Sequence, residues 1–136
     1  RLFAQLAKEL IKQGDHVRAR KVLTYAEQAV PAYNVPEIYE SGSFDIATAY
    51  AALGEKTKAV TLFNHLIAES EDYINWAFSL GNGRTGMMQN DCLYKFWQWN
   101  AYNERMKEID KESYEASNRR FEEKYALFTQ IINNRN

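Results

Sequence analysis

The chain is poor in the residues that mark most specialised proteins. It has one cysteine, Cys92, in 136 residues, so an internal disulfide and a cysteine-rich metal site are both excluded. A lone thiol among aromatics reads as a small buried apolar residue. Only two prolines occur, Pro31 and Pro36, and both fall in "VPAYNVPE", which leaves the rest of the chain open to long helices. No charge of one sign dominates: 17 Lys and Arg face 18 Asp and Glu, a net charge of −1. A chain so balanced has no global field for nucleic acid or for an anionic membrane surface. Nor does any apolar run approach the roughly 18 residues of a membrane span, so this stretch of chain is not expected to insert into a membrane. The first residue is Arg1, not Met, and no signal peptide opens the chain, so a longer parent protein is expected.

What is present is helical spacing. Hydrophobic residues make up 46% and charged residues 26%, an ordinary globular balance. Leu2, Leu6, Leu10 and Ile11 share one helical face, as do Val22, Leu23, Ala26 and Val30. Ile46, Ala49, Tyr50 and Leu53 repeat the pattern, followed by Val60, Phe63, Leu66 and Ile67. No segment alternates strictly with turn residues at both ends. The class is all-α.

The interruptions organise these helices into hairpins. In "KQGDHVRAR", Gly14 stands where a helix ends in a left-handed cap, and Asp15 is placed to cap the next helix. "AALGEKTKA" repeats the arrangement with Gly54. At an offset of 40, Leu6 matches Ile46, Ala7 matches Ala47 and Leu10 matches Tyr50. Gly14 then matches Gly54, Ala19 matches Ala59 and Leu23 matches Phe63. Large, small, large, turn glycine, small, large is an internal repeat.

Within one unit the pattern resembles the tetratricopeptide repeat, a 34-residue helix–turn–helix. Phe3, Leu6, Ala7, Leu10, Gly14, Ala19, Leu23, Ala26 and Pro31 carry the resemblance in the first unit. Ile46, Ala47, Tyr50, Gly54, Ala59 and Phe63 carry it in the second, where Ser43, Leu66 and Glu71 depart from the pattern. The surplus length falls between the hairpins, in "PAYNVPEIYES". The resemblance implies a TPR-like α–α superhelix in one domain over 1–136, with hairpins at about 1–30, 37–70 and 71–110. In the degenerate third hairpin, Tyr73, Trp76, Ala77 and Leu80 predict a short helix, and the run from Thr85 to Asp110 predicts a long one. A capping helix over about 112–133, with Tyr114, Phe121, Tyr125, Phe128 and Ile132 on one side, would cover the last apolar face.

Chemistry is harder to find. Gly81, Gly83 and Gly86 in "SLGNGRTGMM" spell G-x-G-x-x-G, the spacing of a dinucleotide phosphate loop. That loop requires a preceding strand, whereas "YINWAFSL" repeats with helical spacing. The glycines therefore predict a helix end at Gly81, a turn, and a new helix capped near Thr85. His16 and His65 lie on different hairpins with no ligand at metal spacing. Asp45, Asp91 and Asp110 are scattered, and Ser41, Ser43 and Ser79 lack a nucleophile context. The expectation is no catalytic residue, no cofactor and no metal.

Two surfaces are candidates for binding. The inner face of a repeat array is built by the first helix of each hairpin, which selects Lys8, Lys12, Phe44, Thr48 and Ile74 for a groove that takes a protein or peptide. Positions where some family members clamp a peptide carboxylate carry Ala4, Lys8, Phe44 and Thr48 here, which argues against that adaptor role. Aromatics number 19, and seven of them crowd between Trp76 and Tyr102. Trp97 and Trp99, two apart on a helix, point in different directions, so one of them is expected at the surface; they form a candidate aromatic platform for a sugar or peptide, against the alternative that they close the core.

A second resemblance covers most of residues 1–133. "FAQLAKELIKQGDHVRARKVLTYAEQAVPAYNVP", "AYAALGEKTKAVTLF" and "YINWAFSL" resemble the C-terminal region of bacterial membrane proteins whose N-terminal part is similar to protein O-mannosyltransferases. It implies a membrane-attached parent with this domain outside the cytoplasm, on the periplasmic side, beside a glycosyl-transfer machine; a free-standing chain would be cytoplasmic. No catalytic residue carries over. The function expected is a protein-interaction or scaffold module, with a carbohydrate-binding accessory module as the alternative.

Overall fold

Gly14 has φ +82° and Gly54 has φ +78°, left-handed values that a side chain opposes. Each turns the chain sharply enough for the next helix to fold back. In the computed structural model, which describes residues 2–29, 43–81 and 83–134, the helices so delimited are α1 (Leu2–Lys12), α2 (His16–Ala29), α3 (Ser43–Ala52) and α4 (Lys56–Ser79). They are followed by α5 (Arg84–Met87), α6 (Gln89–Lys107) and α7 (Lys111–Asn133). No strand occurs among the described residues, and the class is all-α. The linker 30–42 lies outside them, as do the side chains of Phe3, Ala4, Ala26 and Ser43.

The chain divides into two compact units, Arg1–Leu66 and Ile67–Asn136. In the first, α1 packs on α2 and on α3. The offset of 40 holds atom by atom at the two turns. The Asp15 amide donates to Leu10 O at 2.8 Å and the Glu55 amide to Tyr50 O at 2.9 Å. The Gly14 amide donates to Ile11 O at 3.0 Å and that of Gly54 to Ala51 O at 3.1 Å. This pair of bonds is the Schellman closure, which satisfies carbonyls that a helix end leaves orphaned. Asp15 then caps α2: its Oδ1 accepts from the Arg18 amide at 3.2 Å.

The small residues of the repeat are all interior. Ala7, Ala19, Ala47 and Ala59 are fully buried, so helices approach closely there, while Leu23 and Phe63 fill the space beside them. Arg20 links the hairpins. Its Nη2 donates to Leu53 O at 2.9 Å, and its Nε lies 3.2 Å from Glu55. The α1 stripe is incompletely covered, for Leu6 stays 47% exposed.

The second unit packs the end of α4, α6 and α7. Its first departure from expectation is α4, a single helix of 24 residues where a hairpin boundary near 70 and a fresh helix at 73 were expected. Between Leu66 and Tyr73 the chain reads "IAESED", with no glycine or proline to stop propagation. Paired side chains give the directions. Lys95–Glu69 and Tyr73–Asp91 make α6 antiparallel to α4, and Glu71–Arg120 with Asn75–Lys124 make α7 parallel to it. The last helix, Lys111–Asn133, begins one residue before the expected 112 and ends at the expected 133.

Candidate functional site

The groove residues of α1 and α3 sit in the first unit. Lys8 and Lys12 are exposed on α1. Thr48 is half-buried, and its hydroxyl donates back to Phe44 O at 2.9 Å, a local bond common for helical threonine. Phe44 is half-buried too, its ring edge-on to Phe63 with centroids 6.0 Å apart. Among these residues Lys8 and Lys12 are the exposed ones, and Phe44 and Thr48 are half-buried.

Ile74 belongs elsewhere. It is fully buried in the second unit, because α4 continues through it and turns it inward beside Ile67 and Ala77, both also buried. An isoleucine at 0% exposure cannot line an open groove, and it leaves the candidate set.

The tryptophan pair also separates. Trp97 is 54% exposed, with its ring stacked on Tyr94 at 5.9 Å and 21°. Trp99 is completely buried between α6 and α7 and is no part of a platform. Its Nε1 donates to Ser117 Oγ at 2.8 Å, and Ser117 Oγ donates to Asn103 Oδ1 at 2.6 Å. Positions two apart on a helix differ by about 200°, so when one faces α7 the other faces solvent.

The glycine motif is a turn. Gly81 has φ +84° and Gly83 φ +85°, and α5 contains Gly86. Thr85 does not cap the next helix as expected. It lies inside α5, buried, with its hydroxyl donating to Ala77 O at 2.9 Å, so it ties the turn back to α4. α6 begins only at Gln89.

One cluster escaped the sequence reading. On the α4–α6 seam, Lys95 Nζ reaches Glu69 at 2.8 Å and lies 5.5 Å from the Tyr73 ring centroid. The Tyr73 hydroxyl donates to Asp91 at 3.2 Å, and its ring tilts onto Trp76 at 5.4 Å. Burial first, and the Asp91 charge second, push the Tyr73 phenol up from its ordinary value, so it stays a proton donor. Burial, then Asp91, likewise raises the neighbouring Cys92 thiol. A thiol held protonated is a poor nucleophile. The signal was there as Glu69 and Tyr73 at i, i+4 opposite Asp91 and Lys95 at i, i+4, and it needs the helix pairing to be read. Among the described residues no three His, Cys, Asp or Glu side chains gather as a metal site, and no helix is long and apolar enough to cross a membrane.

Compared with protein-family models, with curated proteins and with solved structures, the chain matches none. The tetratricopeptide and membrane-protein resemblances therefore rest on the residues that carry them.

Proposed function

We propose that this chain is a protein-docking module of the tetratricopeptide kind, working as a scaffold appended to a larger bacterial membrane protein. The observation that carries the reading is the hairpin turn repeated at an offset of 40, bond for bond, at Leu10–Asp15 and Tyr50–Glu55. Chains use such repetition to stack helical hairpins into extended binding surfaces. A surface made of rigid helices is formed before the partner arrives, so docking loses little conformational entropy. Lys8 and Lys12 would bring positive charge to it and favour an acidic peptide or protein face.

The carbohydrate reading is the second. It keeps Trp97, stacked on Tyr94, and has lost Trp99 to the interior. Sugar faces do stack on exposed rings, but one stacked pair on a single helix supports it less than the repeated hairpins support protein docking.

Two measurements test the proposal. An antibody against this domain, used on fractionated native cells, should detect a membrane-bound band far larger than 15.9 kDa. A small soluble band would overturn the appendage. Copurification from those cells should recover a discrete partner that Lys8→Glu with Lys12→Glu releases and that Glu123→Lys, on α7, retains. Equal recovery by all three chains would remove α1 from the docking surface.

A further inference from the structure

The two hairpins repeat at an offset of 40, yet their first helices, α1 and α3, are not buried alike. Ala7 and Ala47 are both buried, Ile11 and Ala51 both half-buried, Lys12 and Ala52 both exposed. On one side of the helix the match fails, always in the same direction. Leu6 is exposed where Ile46 is half-buried, and Leu10 is half-buried where Tyr50 is buried. Glu9 and Gln13 are exposed where Ala49 and Leu53 are buried. Positions 6, 9, 10 and 13 follow at intervals of three, one and three, which puts them on one helical face. Lys8, exposed where Thr48 is half-buried, lies on the opposite side. What α3 has, and α1 within residues 1–136 does not, is a hairpin before it, for α3 packs on α1 and α2. The face marked by Ile46, Ala49, Tyr50 and Leu53 is therefore the seat of that preceding hairpin.

At the same seat α1 has different chemistry. Ala49 is small enough for a close helix crossing and Leu53 is apolar, whereas Glu9 and Gln13 are long and polar. A hairpin set on α1 as the first sits on α3 would take the Glu9 carboxylate out of water, which is costly for a charge. The latch differs too. Across the junction Arg20 reaches Leu53 O and Glu55. Their counterparts in the first hairpin are Gln13 and Asp15, and Asp15 is already paired with Arg18 of its own hairpin at 3.4 Å. We infer that α1 is the closed end of the hairpin stack: Glu9, Gln13 and the Asp15–Arg18 pair exclude a further hairpin of this kind, from a longer parent or from a second copy. An open seat there would accept copies head to tail, and such contacts close into rings or run on as filaments. A polar outer face at the end of a repeat array prevents this. The inference rests on the internal repeat and is independent of any docked partner.

Duplicating the first hairpin tests it. Residues 1–40 placed ahead of the whole 136-residue chain keep the natural spacing and offer the inner α1 a hairpin to receive. The urea midpoint, followed by far-ultraviolet circular dichroism, should stay that of the 136-residue chain. Leu6→Cys in the inner copy, in a Cys92→Ser background, should react with a thiol reagent as fast as in the unduplicated chain. Glu9→Ala, Gln13→Leu and Arg18→Lys then give the inner copy the residues found 40 positions on, at Ala49, Leu53 and Lys58. In that duplicate the midpoint should rise beyond any change the same three substitutions make without duplication, and labelling of Leu6→Cys should slow. A raised midpoint or slowed labelling in the unaltered duplicate overturns the inference, because α1 would then accept a hairpin. So does an altered duplicate that behaves like the unaltered one, because these residues would not be what closes α1.

Discussion

Trp99 and Ser117 are joined by a 2.8 Å hydrogen bond in the interior between α6 and α7, with no solvent exposure at the indole. Ser117 passes the bond on to Asn103 at 2.6 Å, so three buried polar groups on two helices form one chain. Such a network holds the helices in a single register, since sliding either helix would strand its members without water.

The first prediction follows from that arrangement. Ser117→Ala leaves both the Trp99 Nε1 and the Asn103 Oδ1 without a partner in the interior. It should lower unfolding stability by roughly 1–3 kcal/mol, the usual range for an orphaned buried polar group. Urea denaturation measures it. Adding Asn103→Leu should cost less than the sum of the two single changes, because Asn103 Nδ2 already lacks a partner. Strict additivity would mean that the three groups do not act as a chain.

The two turns give a matched pair. A Cβ added at Gly14 or at Gly54 would meet nothing within 4 Å, so the loss on substitution comes from the backbone alone. Gly14→Ala and Gly54→Ala should each destabilise by about 1–2 kcal/mol, the cost of a left-handed conformation for an L-residue. Gly54→Asn should cost less, since asparagine tolerates that region better. Equal losses at the two sites are expected from their equal hydrogen bonding. A near-zero effect at either would show that its turn is not held in this conformation.

Alkaline pH supplies the third. Cys92 keeps its proton in the folded chain to higher pH than when unfolded, because burial and Asp91 both oppose the thiolate. Its contribution to stability is complete below the ordinary thiol value of about 8.5 and is lost as pH rises through the folded value. The urea midpoint should therefore decline from about pH 8.5 upward. Cys92→Ser should flatten the first part of that decline. A remaining fall that begins near pH 10 belongs to Tyr73, raised in the same direction. The folded chain should also react slowly with a disulfide reagent at pH 8. Reaction as fast as a free thiol's would contradict the burial.

Much of the molecule is written locally. Helical spacing, the Gly14 and Gly54 caps, the Asp15 cap and the extent of α7 all depend on residues within five positions of one another, so the order of residues suffices to read them. The repeat is legible for the same reason, because equal local patterns make equal turns. Of the candidate surface residues, Lys8, Lys12 and Trp97 are exposed, whereas Ile74 and Trp99 are buried.

Those two misplacements have one cause. A helical stripe states that some face is buried, and it does not state which neighbour arrives to bury it. Trp97 and Trp99 are chemically identical on one helix, and only α7, bringing Ser117 to one side of α6, makes one an interior hydrogen-bond donor and leaves the other half-exposed. Thr85 is an ordinary cap candidate by position, until α4 presents the Ala77 carbonyl to its hydroxyl. By itself the sequence determined the helices, their ends and their repetition, through interactions a few residues apart. The tertiary structure decided which side chains are surface and which are core, because burial is set by segments that meet only once the chain has folded.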